Sequence, residues 1–435
     1  MNHPLLQKAS IVFSPTAYGT STLNSIKPPG NTNADFDFTR STTATRVNES
    51  GLIETVAANI PRIDYLSGVG VYLNEPLTTN TATYSNDFTQ GDIFDGSGNP
   101  SANQSVITAN SITSPDGTNN GWKLTDNGDS GNGVAELAYF STNVSSGDSN
   151  TFSIFLKKGS TDFGYLNSGG FDSTANGTSY FNLSTGAIAS ASANHSDVKM
   201  EDYGNGWYRC TVANRTTTDT LGAFTFGIAT SSGTKTISRD GSNFLYMFGV
   251  QAVQDSDADI DSFLVSYIPT SGATATKNKD SALNAGNTDL INSTEGVLYI
   301  NLAGLYNKYK TTRRLTISDD STSNGIRLDF STVENKVQLR VRVNGNNVAT
   351  HTDTGTYDIT QFHKYAIQWK ANDFKFYIDG VEVGTDTSGA TFSADTLDRI
   401  NIGSNTGASN LEANIKCIAV FKEILTDAQL VTLTS

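Results

Sequence analysis

The sequence predicts an all-β protein: an extended N-terminal attachment segment, two antiparallel β-sandwich (jelly-roll) domains and one short C-terminal helix. Three observations predict it. Charged residues make up only 17% of the chain, against a typical ~25%, so its polarity is carried by Ser, Thr, Asn and Gly. With 10% aromatics, that mixture suits short strands joined by turns rather than helices. Apolar residues also recur at period two in runs of strand length, and clusters of Gly, Asn and Ser separate those runs at the spacing of a sandwich or jelly roll. At roughly 150 residues per domain, 435 residues allow about three structural segments. A coiled coil, a helical bundle and a long disordered tail are all disfavoured.

Residues 1–80 form the first segment. Ile11-Val12-Phe13 is a short apolar run, and Pro15 and Lys27-Pro28-Pro29-Gly30 should break regular structure. In Asp35-Phe36-Asp37-Phe38 the alternation puts both Phe on one face. Asn48-Glu49-Ser50-Gly51 is a turn, and Leu52 to Val56 follows it as a strand, giving a small hairpin with extended flanks. The segment has too few apolar residues to fold alone. It is expected to lie against the next domain or another chain.

Residues 81–282 form the second segment. Its strands are expected at Gly121 to Leu124, Val134 to Phe140, Thr151 to Lys157, Tyr180 to Leu183, Trp207 to Val212, Ala223 to Ile228 and Phe244 to Gln251. The polar run from Pro269 to Asn287 reads as a linker. The third segment, residues 288–435, has the clearest pattern, with strands at Gly296 to Leu302, Arg314 to Ile317, Ile326 to Phe330 and Lys336 to Val343. Tyr365, Ile367 and Trp369 share one face of another strand, and Ala371-Asn372-Asp373 turns the chain into Phe374, Phe376 and Ile378. Asp379-Gly380 is a hairpin turn signal. Thr426 with Gln429 makes a capping box for the one helix, with Leu425 and Leu430 as a hydrophobic staple.

The net charge is −14 and no Lys/Arg run interrupts it, which disfavours a phosphate backbone as partner. No apolar run approaches the ~20 residues of a membrane span, so neither nucleic acid nor membrane insertion is expected. Met1 to Ser10 shows no basic segment followed by an apolar core, so no signal peptide is expected. Cys210 and Cys417 lie far apart and read as free, buried thiols of a reducing cytoplasm, a bridge between them being the alternative.

Several motifs carry a family resemblance. Asp35 to Asn48, then Gly51-Leu52-Ile53-Glu54, Pro61 to Tyr65 and Leu73-Asn74-Glu75-Pro76 resemble a leader found on bacteriophage virion proteins. So do Tyr84-Ser85-Asn86-Asp87-Phe88, Pro115 to Leu124, Gly204 to Arg209 and Ser266 to Thr270. The middle segment looks like the carbohydrate-binding-module-like jelly roll of those proteins. Phe376 to Val381 and the stretch from Ala419 to Gln429 resemble a laminin-G/concanavalin A-like lectin domain. The resemblance implies a virion fibre or surface appendage, assembled in the host cytoplasm. It would be anchored to other virion proteins through the N-terminal segment, with Phe36, Phe38, Arg40 and Arg46 as attachment residues. Its partners would then be virion proteins and host-surface glycans. Phage fibres are commonly trimers, so a homo-oligomer is expected, although no heptad or collagen-like repeat enforces one.

Sugars stack on exposed aromatic faces, which makes Trp122, Tyr203 and Trp369 candidate glycan contacts. The tryptophans also have apolar neighbours at period two, which suits core packing. Asp255, Asp257, Asp259 and Asp261 alternate along one stretch and could supply part of a calcium shell. The EF-hand pattern fails there, with Ile260 at the Gly position and Ser266 at the Glu position, and a solvated acidic loop is the competing reading. No other cofactor is implied. The four histidines have no zinc-ligand spacing, and neither a nucleophile elbow nor a phosphate loop occurs. The expectation is therefore a non-enzymatic virion component that adheres to host glycans. A head fibre or capsid decoration protein is the alternative, and a depolymerase with carboxylates drawn from distant strands is a further one. Truncation before Asn80 should abolish incorporation into particles and leave the rest folded.

Overall fold

The computed structural model describes residues 3–90, 105–171, 175–216, 220–255, 265–404 and 409–435. The described residues are almost entirely antiparallel β-structure closed by one short helix, as the alternation predicts. The chain divides into two compact units, and the division differs from the sequence-based one. One unit comprises Met1–Thr43, Val56–Leu77 and Asn278–Ser435, and the other comprises Ala44–Thr55 and Thr78–Lys277.

In the first unit, an eleven-stranded sheet mixes both ends of the chain. Its central strand, Ala413–Phe421, pairs with Glu295–Gly304 on one side and with Ile11–Gly19 and Val71–Asn74 on the other. From Ile11–Gly19 the sheet continues through Thr22–Lys27 and Phe36–Thr39 to Ser281–Leu283. From Glu295–Gly304 it continues through His363–Lys370 and Phe374–Ile378 to Val381–Asp386. Much of residues 1–80, expected to lie against the next domain or another chain, is built into this sheet. Too poor in apolar residues to fold alone, their strands complete a sheet formed by the last third of the chain. The strand Ile11–Gly19 also runs through Pro15, and its pairing shifts register between Phe13 and Tyr18, which accommodates the missing N–H.

The expected linker from Pro269 to Asn287 is likewise ordered. Asp280, within it, is fully buried and receives the guanidiniums of Arg40 (Nη1 to Oδ1, 2.9 Å) and Arg62. Arg62 also pairs with Glu75 at 2.8 Å, and the Glu75 backbone N–H donates to Asp280 Oδ2 at 3.0 Å. Burial works to lower the Arg62 pKa, but the charges of Asp280 and Glu75 outweigh it and hold the group raised. A polar run in sequence thus becomes a buried ionic tie, because its carboxylate supplies the counter-charge that the enclosed Arg40 guanidinium needs.

The first unit's second sheet has five strands in the order Asn346–Thr354, Lys336–Val343, Gly325–Phe330, Arg313–Ser318 and Arg399–Asn401. Its apolar face carries Leu315, Ile317, Ile326, Leu328, Val337, Leu339 and Val341, all inaccessible to solvent. The large sheet is apolar on its other face as well. There Tyr299, Tyr377, Ala419 and Phe421 pack with Leu6, Leu425, Leu430 and Leu433. The last three belong to the helix Asp427–Thr434 and its approach, whose N-cap Thr426 makes the capping box with Gln429. Asp379 and Gly380 take φ of 48° and 80° at the hairpin turn, the left-handed pair that such a tight turn requires.

The second unit is a sandwich of a six-stranded and a five-stranded sheet. Phe152, Ile154 and Leu156 of Ser149–Lys158 pack with Phe224, Phe226 and Ile228 of Thr220–Ala229, and Phe152 stacks on Phe224 at 5.2 Å. The short hairpin Ala44–Val47 and Ile53–Val56 belongs mainly to this unit, where the Ile53 N–H donates to Pro115 O at 2.9 Å. Cys210 and Cys417 are both free and buried.

Candidate functional site

The five-stranded sheet has a second face, and its residues are set by register. Alternation along Lys336–Val343 buries Val337, Leu339, Val341 and Val343 and turns Lys336, Gln338, Arg340 and Arg342 the other way. Arg340 lies directly opposite Arg327, and Arg327 opposite Thr316. One row along, Gln338 lies opposite Asp329, and Asp329 opposite Arg314. Arg342 faces Gly325 on one side and Asn347 on the other. The edge strand adds Thr350 opposite Arg340 and Thr352 opposite Gln338, both exposed.

Four guanidiniums therefore share a face with one carboxylate. Asp329 is fully buried, pairs with Arg314 at 3.2 Å and accepts a close contact from Arg340. Arg327 is only 5% exposed, and its Nη2 donates to Thr322 O at 2.7 Å. Among the described residues neither Arg327 nor Arg342 forms an ion pair with a carboxylate, and the Nε of each is buried without a hydrogen-bond acceptor. Burial pushes the Arg327 guanidinium down to about 10, and the neighbouring charges of Arg314, Arg340 and Arg342 push the same way, Asp319 opposing them. Arg340 is lowered by burial and by Arg314 and Arg342. Like charges directly opposite on neighbouring strands destabilise a sheet by a few tenths to ~1 kcal/mol. In a chain of net charge −14 such a concentration is unexplained by folding, and local violations of this kind gather at functional sites. Arg399, at the far edge, differs: Asp398 neutralises it through contacts of 2.8 and 3.0 Å.

This surface can bind oxygen-rich ligands through fixed guanidinium forks, the Gln338 amide (which donates to Thr352 Oγ1 at 3.0 Å) and the threonine hydroxyls of an accessible strand. Among the described residues its one carboxylate, Asp329, is enclosed between Arg314 and Arg340 and so is not placed to act as a general acid or base.

The residues singled out from the sequence lie elsewhere. Trp369 is fully buried, with Nε1 donating to Asn292 O at 3.2 Å, so no ring face is open to a sugar. Tyr203 is 8% exposed and meets the edge of Phe155 at 4.8 Å. It is part of the packing around Arg209 and Tyr267, not a loop contact. Trp122 is half-buried against the second unit's core, packed on Phe88 and donating to Asn86 O at 2.9 Å. Phe36 and Phe38 are fully buried, and Arg40 is 1% exposed in the Asp280 tie. These three side chains therefore cannot reach another protein. Arg46 pairs with Glu54 at 2.7 Å across the hairpin. Asp255 ends the strand Phe244–Asp255 and is half-buried, whereas Asp257, Asp259 and Asp261 lie outside the described residues.

The motifs quoted between Tyr84 and Thr270 share a structural role within the second unit. Trp207 Nε1 donates to Thr113 O at 3.0 Å, Arg209 Nη1 donates to Val265 O at 2.5 Å, and Tyr267 Oη donates to Ser85 Oγ at 2.7 Å. Strings that carry the family resemblance are thus internal fastenings of a sandwich. None of the four arginines stands out in the linear sequence. The one local signal is the Arg-x-Arg on the polar phase of the alternating strand Lys336–Val343.

Among known families, residues 305–431 match the model of the concanavalin A-like lectin/glucanases superfamily. That span contains every strand of the five-stranded sheet and all four arginines. Comparison with curated proteins finds no match. Among solved structures, the carbohydrate-binding module CBM40 of the Ruminococcus gnavus IT-sialidase, bound to α2,3-sialyllactose, is 16% identical. The match covers 33% of this chain and 83% of that one, with a TM-score of 0.29. Domain 4 of AbnA, an extracellular arabinanase of Geobacillus stearothermophilus in complex with arabinotriose, is 14% identical, covering 40% and 82%, with a TM-score of 0.29. Trypanosoma rangeli sialidase is 12% identical, covering 35% and 25%, with a TM-score of 0.28. Likenesses of this size carry no argument about fold or ligand.

Proposed function

We propose that this chain is a non-enzymatic, glycan-binding structural component of a bacteriophage virion, a fibre or surface appendage that adheres to the host surface. The glycan-binding part rests on one observation above the others. Within the span that matches a lectin-superfamily model, the outer face of the five-stranded sheet carries the partly accessible guanidiniums of Arg340 and Arg342 beside exposed threonines. Such a face suits hydroxyl- and carboxyl-bearing sugars, whose oxygens accept what the arginines and Gln338 donate.

The virion part is supported by the leader-like wording from Asp35 to Glu54 and by the motifs that follow it. Because Phe36, Phe38 and Arg40 are interior, attachment to a neighbouring virion protein uses the outer surface of the first unit in place of those side chains. A homo-oligomer, as in other fibres, belongs to the same reading. Immunogold labelling of intact particles with antibody against residues 288–435 tests it, paired with a glycan array probed with the purified chain. Label on tail appendages together with array binding is the expected result. Label spread over the head would favour a decoration role. Unlabelled particles would refute the virion assignment, and a blank array would refute adhesion.

A further inference from the structure

We propose that the ligand of the five-stranded sheet's outer face is an acidic polysaccharide, its anionic groups received by Arg340 and Arg342 and its hydroxyls by Thr350, Thr352 and Gln338. This deepens the glycan-binding reading and rests on it.

A neutral sugar needs a balanced set of donors and acceptors, whereas this face is overwhelmingly a donor surface. Arginine and lysine contribute no acceptors, and the one carboxylate, Asp329, is already engaged by Arg314 and Arg340. The guanidiniums that remain partly accessible are those of Arg340 and Arg342. Arg327, 5% exposed, lies beneath the surface and contributes charge without contact, whereas Arg342 is partly accessible and forms no ion pair among the described residues. A guanidinium held in that state is completed by an anion more readily than by a hydroxyl, because charge-assisted bonds are about twice as strong as neutral ones. Cross-strand register puts Arg327 and Arg340 side by side, with Arg342 two residues further along the same strand face. The positive charge therefore runs as a short stripe beside the hydroxyls of the edge strand Asn346–Thr354. A stripe matches a polymer with an acidic group on successive residues better than it matches a single small anion. The overall charge of −14 repels polyanions elsewhere on the molecule, so attraction is confined to this face.

The full-length chain is titrated calorimetrically in 150 mM salt with polygalacturonate, dextran sulfate, unmodified dextran and duplex DNA. Arg342→Gln and Arg342→Glu are run in parallel. Since Arg342 forms no ion pair among the described residues and its charge repels those of Arg327 and Arg340, both variants should stay folded and unfold at or above the wild-type temperature, and a thermal scan checks this. The expected result is binding of polygalacturonate or dextran sulfate, with dextran silent. Arg342→Gln should weaken it about tenfold, the equivalent of one charge-assisted contact, and Arg342→Glu should weaken it more. Which polymer binds identifies the anion as carboxylate or sulfate. Binding of dextran with affinity unchanged in both variants would overturn the acidic ligand and leave glycan binding standing. Silence with all three polysaccharides would overturn both, and binding of DNA alone would replace the polysaccharide with nucleic acid.

Discussion

Replacing Asp280 with Ala tests how Met1–Thr43 and Val56–Leu77 are held to the rest of the first unit. The carboxylate is fully buried and takes contacts from Arg40, Arg62 and the backbone N–H of Glu75. Removing it leaves Arg62 to its pair with Glu75 at 2.8 Å, and leaves Arg40 donating to the carbonyls of Thr42 (3.0 Å) and Ala57 (2.7 Å). Breaking a buried pair by removing one partner costs about 3–5 kcal/mol, because the other charge stays buried without compensation. For a unit of 150–250 residues each kcal/mol moves the melting temperature by about 2–4 °C, so the loss should be roughly 6–20 °C. Differential scanning calorimetry of the full chain reads it. In Arg40→Ala/Asp280→Ala the loss should be smaller than the sum of the single losses by about 0.5–3 kcal/mol, since the orphaned charge has gone. A shift of less than about 2 °C in Asp280→Ala, or strict additivity in the double variant, would refute the reasoning.

Other predictions rest on the same structure. Deleting residues 1–80 strips Ile11–Gly19 and Val71–Asn74 from Ala413–Phe421. The first unit should then lose its cooperative transition instead of surviving intact, as near-ultraviolet circular dichroism would show. His195 is buried between Ser168 Oγ (3.0 Å) and Ser179 Oγ (2.7 Å), and burial holds its pKa down at about 4. The unfolded chain takes up that proton near 6.5. Stability should therefore fall as pH drops from about 6.5 to 4, by about 3 kcal/mol in all, and His195→Gln should flatten the urea midpoint across that window. A Cβ on Gly227 would sit 2.3 Å from Ala135 O, whereas one on Gly19 meets nothing within 4 Å. Gly227→Ala should cost about 1–3 kcal/mol and Gly19→Ala far less, measured by the same denaturation. Thr426→Ala removes the cap that accepts from Gln429 N and should cost about 1 kcal/mol.

Much of the fold is legible in the sequence where alternation is strong. Lys336–Val343 matches residue for residue, and Ser149–Lys158 and Trp207–Arg215 extend the expected strands by one to three residues. The capping box and the Asp379-Gly380 turn are local chemistry and form as their residues predict. The strand Asn346–Thr354 escapes the pattern, because an edge strand with one exposed face needs few apolar residues and reads as a polar loop. Domain organisation is hidden for a different reason. Pairing between Ile11–Gly19 and Ala413–Phe421 spans some 400 positions, and no local pattern encodes a partner that distant. The candidate site suffers the same limit. Arg314, Arg327, Arg340 and Arg342 lie on three strands, and only cross-strand register turns scattered positive residues into one face. Aromatic residues, by contrast, draw attention in sequence as sugar platforms, yet Trp369 and Tyr203 are taken up by packing.

The central claim is that a glycan lies across the outer face of the five-stranded sheet. Phenylglyoxal modification of the full chain, mapped by mass spectrometry with and without saturating polygalacturonate, tests it most directly, because the reagent reports arginines individually. The account predicts that Arg340 and Arg342, both partly accessible in the free protein, are protected by the polymer, whereas Arg399, neutralised by Asp398 at the far edge, reacts at an unchanged rate. Equal reactivity of Arg340 and Arg342 in the bound and free states would contradict it.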